Sequence, residues 1–167
     1  REFTIGILGN AEPEFFPIRR TRGGLPAGRL PLHGGSTPGV LEIVDDLANS
    51  SPEVGSRRGG PVGPWEYPLR DGGRLTFEPG GQVEHSTTVF PTARAALEGS
   101  RSVLARLRGA FAAHDVVLAA AGIDLWHDVD DVPQQLPFGR YTAQAAYYDR
   151  RGTAASARDR VGAGDRA

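Results

Sequence analysis

The sequence predicts an α+β domain built on an antiparallel sheet, and three observations carry that reading. Short runs alternate apolar and polar residues with the period of a half-buried strand, as in Phe3 to Leu8 (FTIGIL). Asp71-Gly72-Gly73 sits between two such runs and suits a tight hairpin turn. Thr92 to His114 repeats apolar residues at helical spacing. The resulting order is strand, helix, hairpin, helix, strand.

The elements follow in order. After FTIGIL, the Gly9-Asn10 pair interrupts the chain. In the next run, AEPEFFPI, Pro13 argues for an edge position or a bulge. Residues 19–35 are rich in Gly, Pro and Arg and read as loop. Thr37 then caps a helix that Pro38 begins, with Val40, Leu41, Val44 and Leu47 as its apolar face. Residues 49–64 read as a second loop. Trp65 to Arg70 is a short strand, and Arg74 to Phe77 is its return, continuing through a bend into EPGGQVEHS. In the helix from Thr92, residues Ala93, Ala96, Leu97, Val103, Leu104, Leu107 and Phe111 fall on one stripe. Val116 to Ala121 is a buried strand, Pro133 to Phe138 a loop, and Thr142 to Asp149 the start of a helix. From Thr153 to Ala167 the chain has small residues and arginine without apolar periodicity, which predicts a disordered tail beyond a domain spanning 1–152.

Composition removes several chemistries. All 19 basic residues are arginine, so lysine Schiff bases and P-loop lysines are absent. With no cysteine there is no disulfide, thiolate metal site or thiol nucleophile. A net charge of -1 gives no field to recruit nucleic acid or an anionic membrane. No apolar run approaches the roughly 18 residues of a membrane span. These features predict a soluble cytoplasmic protein without nucleic-acid or membrane partners; the oligomeric state stays open.

The chemistry concentrates in Glu78 to Ser86. Simple alternation puts Glu78, Gln82, Glu84 and Ser86 on one face, and Leu75, Phe77, Val83 and His85 on the other. Glu12 and Glu14 add two carboxylates spaced to share a face. Four carboxylates on neighbouring strands repel one another, and a hard divalent cation such as Mg²⁺ relieves that repulsion while bridging to nucleotide phosphates. The bland alternative is a solvated edge, which is the ordinary fate of an E-x-E pair. Spacing alone leaves both open.

The run Glu78-Pro79-Gly80-Gly81-Gln82-Val83-Glu84-His85-Ser86 closely resembles the EPGGQ-x-E-x-S signature of the plant and bacterial glutamate–cysteine ligase family. Upstream, Glu12-Pro13-Glu14-Phe15-Phe16 resembles the family's E-x-E-F first strand. Downstream, Gly122-Ile123-Asp124 resembles its G-x-D-P stretch. Arg140-Tyr141, followed by Tyr147 to Gly152, resembles its R-Y segment and the helix after it. These matches run in family order from Ile5 to about Gly152.

The resemblance implies a curved antiparallel sheet backed by helices, similar to glutamine synthetase. It implies a reaction in which ATP phosphorylates the glutamate γ-carboxylate and the amine of cysteine displaces phosphate, a step of thiol or glutathione biosynthesis. It makes Glu12, Glu14 and Glu84 ligands of Mg²⁺. Glu78, Gln82, Ser86, Arg140 and Tyr141 become substrate- or ATP-binding residues, with Arg140 also catalytic. Family members are longer, so the resemblance covers an N-terminal portion of the fold. A second reading follows: a non-catalytic fragment with weak Mg-nucleotide binding.

Other residues read as structural. His85 reads as a packed or surface histidine rather than a ligand, His127 and Asp128 as a polar loop, and Asp128, Asp130 and Asp131 as a solvated acidic cluster. Trp65 and Trp126 read as core or core-edge, and Arg19, Arg20 and Arg22 as solvated.

Overall fold

A computed structural model describes residues 11–61, 63–121, 124–127, 131–136 and 138–150, with the backbone alone at 145, 148 and 149. The expected strand at Phe3 to Leu8 and the expected tail from Thr153 lie outside these residues, as do Asp128 and Asp130.

The chain forms α+β architecture. Among the described residues, seven strands and three helices follow in the order β1 (Glu14–Arg20), β2 (Pro26–Arg29), α1 (Val40–Ser50), β3 (Arg58–Gly60), β4 (Gly63–Pro68), β5 (Arg74–Phe77), β6 (Val83–Ser86), α2 (Ala93–Ala112), β7 (Val116–Ala119) and α3 (Gly139–Asp149). One open sheet runs β2-β1-β6-β5-β4-β3, with β7 also on β1, and every pairing is antiparallel. Ile18 lies opposite both Arg29 of β2 and Val117 of β7, so β1 has a strand on each side. No helix among the described residues is long and apolar enough to cross a membrane.

One face of the sheet meets α1 and α2. Phe15, Tyr67, Leu75, Phe77 and Val83 pack there against Val40, Leu41 and Val44 of α1 and Leu107 and Phe111 of α2. Each fully buried side chain of this size contributes about 1.5–3 kcal/mol of transfer free energy, which makes this layer the main source of stability.

Several elements differ from expectation, for physical reasons. Pro13 lies just before β1, and β1 is interior rather than an edge. The Pro13 carbonyl accepts from the His85 amide, a role that needs no proline N–H. The stretch 19–35 holds β2, because β1 offers a hydrogen-bonding edge that outweighs weak strand propensity. In the same way 49–64 holds β3 and the start of β4. Helix α1 begins at Val40 with Gly39 as its cap. Thr37 instead accepts a hydrogen bond from Arg19 (3.3 Å), and the Glu42 carboxylate turns back to accept the amides of Gly39 (2.8 Å) and Gly34 (2.9 Å). Thr92, where the expected helix starts, caps α2 by accepting from the Ala95 amide at 3.1 Å. Of the α2 stripe only Leu107 and Phe111 are buried, and Leu97 is 52% exposed because the first turns overhang the sheet. Trp126 is 46% exposed rather than core.

Candidate functional site

The EPGGQ segment does not bend a continuing strand; it reverses the chain. The Glu78 amide donates to the Gln82 carbonyl (3.0 Å) and the Gly81 amide to the Glu78 carbonyl (2.8 Å), closing a hairpin between β5 and β6. Gly81 sits at φ +79°, and a Cβ there would come within 2.5 Å of the Gln135 side chain. Its glycine thus serves both a left-handed turn and a close neighbour. The reversal matters for chemistry, because it brings Glu78 back beside Glu84 where a continuing strand would have separated them.

Strand register assembles the rest. Glu84 pairs with Glu14 on one side and Thr76 on the other. Their side chains share the face opposite the helical core, since Leu75, Phe77 and Val83 occupy the other parity. The carboxylates of Glu14, Glu78 and Glu84 converge, each offering an oxygen within 4.8 Å of the others. Two hydroxyls hold Glu84: Thr76 donates to its Oε1 at 2.8 Å and Ser86 at 3.0 Å. Gln82 lies opposite Glu78 at the hairpin end and is 1% exposed. Its amide oxygen is buried with no hydrogen-bond partner among the described residues, a costly arrangement unless a ligand reaches it.

The donor set suits a hard divalent cation. All donors are oxygen, and ligands of one Mg²⁺ stand at most about 4.2 Å apart, twice a bond of roughly 2.1 Å. Closing a 4.8 Å separation to that value needs a side-chain shift of a fraction of an ångström. Without a cation, each carboxylate pair at such a separation repels by about 3 kcal/mol at an effective dielectric of ~20.

Helix α3 brings in Arg140 and Tyr141. The Arg140 guanidinium donates to the Tyr141 hydroxyl at 2.6 Å and stacks over its ring at 4.5 Å. Burial raises the Tyr141 pKa above its usual value; the Arg140 hydrogen bond opposes the shift, and the charges of Glu78 and Glu84 add to it. Tyr141 therefore stays a neutral hydroxyl in the field of the carboxylates.

Of the residues singled out from sequence, Glu14, Glu78, Gln82, Glu84, Ser86 and Tyr141 come together, and Arg140 lies exposed at their rim. Glu12 stays outside the carboxylate triad: it precedes β1 and is exposed, although the chain still bonds along β6 there, the Thr87 amide donating to the Ala11 carbonyl at 2.9 Å. Its expected place is taken by Glu78.

Sequence reasoning missed two contributors. Thr76 was legible by parity with Glu78. Arg29 carried no local signal, because its partners lie 51 and 95 residues away. Its guanidinium donates to Asp124 Oδ2 (2.8 Å) and to the Gly80 carbonyl (2.7 Å), and lies 4.7 Å over the Phe16 ring. Burial alone would raise the Asp124 pKa; hydrogen bonds from Arg29, the Trp126 amide and His127 outweigh it and hold the carboxyl below its usual range. His127 Nδ1 meets the same carboxylate at 2.9 Å, beside a surface cleft of about 750 Å³ that Arg29, Trp126 and Gln135 also line.

Compared with known proteins, the chain matches no protein-family model and no curated protein.

Proposed function

We propose that this chain is an ATP-dependent carboxylate–amine ligase of the glutamate–cysteine type, acting on the carboxylate-bearing face of a glutamine synthetase-like sheet. The observation that carries the reading is the convergence of Glu14, Glu78 and Glu84 around one point, with Gln82 opposite Glu78 in the hairpin and its amide oxygen buried without a partner among the described residues. The EPGGQVEHS signature adds the ligase class, and with it the substrates glutamate, cysteine and ATP and a cytoplasmic setting.

The residues divide the work. Glu14, Glu78 and Glu84 hold Mg²⁺. When bound, the cation neutralises phosphate oxygens as charge shifts in phosphoryl transfer. Thr76 and Ser86 occupy one oxygen of Glu84, which turns the other toward the ligand. Tyr141 remains protonated and donates a hydrogen bond. Arg140, exposed at the rim, meets a phosphate or the substrate carboxylate through its planar fork.

Calorimetric titration with Mg-ATP, with and without glutamate, tests this. The expected result is saturable binding that glutamate strengthens and that Glu84→Gln weakens by about tenfold or more, as for loss of a charged ligand. Glu98→Gln, on the exposed side of α2, should bind like the wild type. Equal affinities for the two variants would remove Glu84 from the site.

A second reading has its own observation. Among the described residues β7 pairs with β1 alone, leaving the sheet open at that side. It assigns Mg-nucleotide binding without ligase turnover. A γ-glutamylcysteine product assay on the same preparation separates the two.

A further inference from the structure

A buried ion pair at the tip of a hairpin calls for an explanation. Arg29 and Asp124 have side-chain exposures of 4% and 0%. Replacing such a pair with apolar residues is often neutral or stabilising, so stability alone is a weak reason for it. A hairpin ordinarily closes with backbone bonds and glycine, and this one has both, yet its Pro79 to Gln82 turn is also buried.

What the pair adds is a fixed position for the turn. The Gly80 carbonyl accepts from Arg29 (2.7 Å) and from Gln135 Nε2 (3.1 Å). The Gln135 amide donates to the Pro79 carbonyl at 2.7 Å, and its side-chain oxygen accepts the Leu32 amide. Every one of these bonds lands on the Pro79-Gly80 step or on the residue that braces it. That step lies between Glu78 and Gln82, one a carboxylate of the triad and the other the bearer of the orphaned amide oxygen. Glu14 and Glu84 are set by strand register, but Glu78 and Gln82 sit at the free end of the hairpin and need an external anchor. Arg29 suits that role through its shape. Its rigid fork spans two acceptors at once, which a lysine ammonium on a flexible stem does not do with the same geometry. Asp124 holds the fork's other side, and the Trp126 amide and His127 hold Asp124.

We propose that Arg29 is a positioning residue for the divalent cation: with Asp124 as its brace, it holds the Pro79-Gly80 turn so that Glu78 and Gln82 complete the carboxylate site. This rests on the reading of that site as a Mg²⁺ site and adds a residue that the signature does not contain.

The test is Mn²⁺ binding to the full chain, read as loss of the free-ion electron paramagnetic resonance signal, with Mn²⁺ standing in as a hard divalent ion. Melting temperatures are measured alongside. Arg29→Met/Asp124→Asn removes the pair without leaving a buried charge. It should bind Mn²⁺ about tenfold more weakly than the wild type, in line with loss of an outer-shell support. Arg29→Lys should fall between the two. Val44→Ala, a core truncation on α1, should lower the melting temperature while keeping wild-type affinity well below it. Wild-type affinity in the double variant would overturn the proposal, as would a Val44→Ala loss of affinity equal to that of the double variant. If the wild type and Glu84→Gln alike take up no Mn²⁺, the metal reading itself falls and takes the role of Arg29 with it. If the wild type binds, Glu84→Gln does not, and the double variant binds like the wild type, the role of Arg29 falls alone.

Discussion

His85 shows how one position on a strand acquires opposite chemistry from its neighbours. It lies between Glu84 and Ser86, which face the site, yet is 1% exposed on the core side, its Nε2 without a hydrogen-bond partner among the described residues. Burial lowers its pKa below the ordinary histidine value of about 6.5, against an opposing pull from Asp71. The unfolded chain takes up that proton near pH 6.5 while the folded chain resists it. Stability is therefore full above pH 6.5 or so and declines as pH falls below it. His85→Leu should flatten this slope, so the urea midpoint should drop less between pH 7 and pH 5 than in the wild type. Equal drops would remove His85 from the account. That this histidine faces away from Glu84 was legible from alternation; that it is packed rather than at the surface was not. The reason Gly81 must be glycine was only half legible: the turn was visible, but the Gln135 side chain that crowds it comes from 54 residues away.

At the scale of elements, local chemistry located what local bonds determine. The DGG turn, the β5 strand and the start of α2 after Thr92 fall where the sequence puts them, because each is made by residues a few positions apart. Helix α1 departs from this because two start signals compete, and Glu42 wins by capturing two amides. Burial opposes ionisation of Glu42, but those amides outweigh it and lower its pKa. Its contribution is therefore present above the ordinary carboxylate pKa and lost as pH falls through the lowered value. Glu42→Ala should cost about 1 kcal/mol at pH 7, the usual magnitude for a lost cap. The cost should shrink toward zero in strong acid, as read from urea denaturation at both pH values. The strands β2 and β3 were not legible, since their glycine-rich sequences pair only because β1 and β4 lie alongside.

At the scale of the molecule, the sheet carries its core on one side and its polar chemistry on the other. Tyr67 ties the sheet to the helices: it is fully buried, edge-on to Phe77 at 6.0 Å, and donates to Asp45 at 2.8 Å on α1. Tyr67→Phe should destabilise the chain by about 1–2 kcal/mol, the cost of losing one buried hydrogen bond to a carboxylate. Asp45 keeps Arg57 at 3.2 Å, so the loss should stay within that range in urea melts. Mn²⁺ affinity should be unchanged, since this layer lies opposite the carboxylates.

By itself the sequence determined the α+β class, the main helices, the central hairpin and the identity of most residues on the polar face. Those follow from periodicity, turn chemistry and side-chain parity, which act over a few residues. Tertiary structure alone decided which carboxylates meet. Chain reversal at Pro79-Gly80-Gly81 brought Glu78 to Glu84, strand register brought Glu14 to both, and Glu12, exposed ahead of β1, stays outside. It also supplied Arg29, whose two partners become neighbours only after β2 and the segment around Asp124 have packed on the sheet. Contacts between residues that far apart have no local pattern to announce them, because their geometry is a property of the assembled sheet.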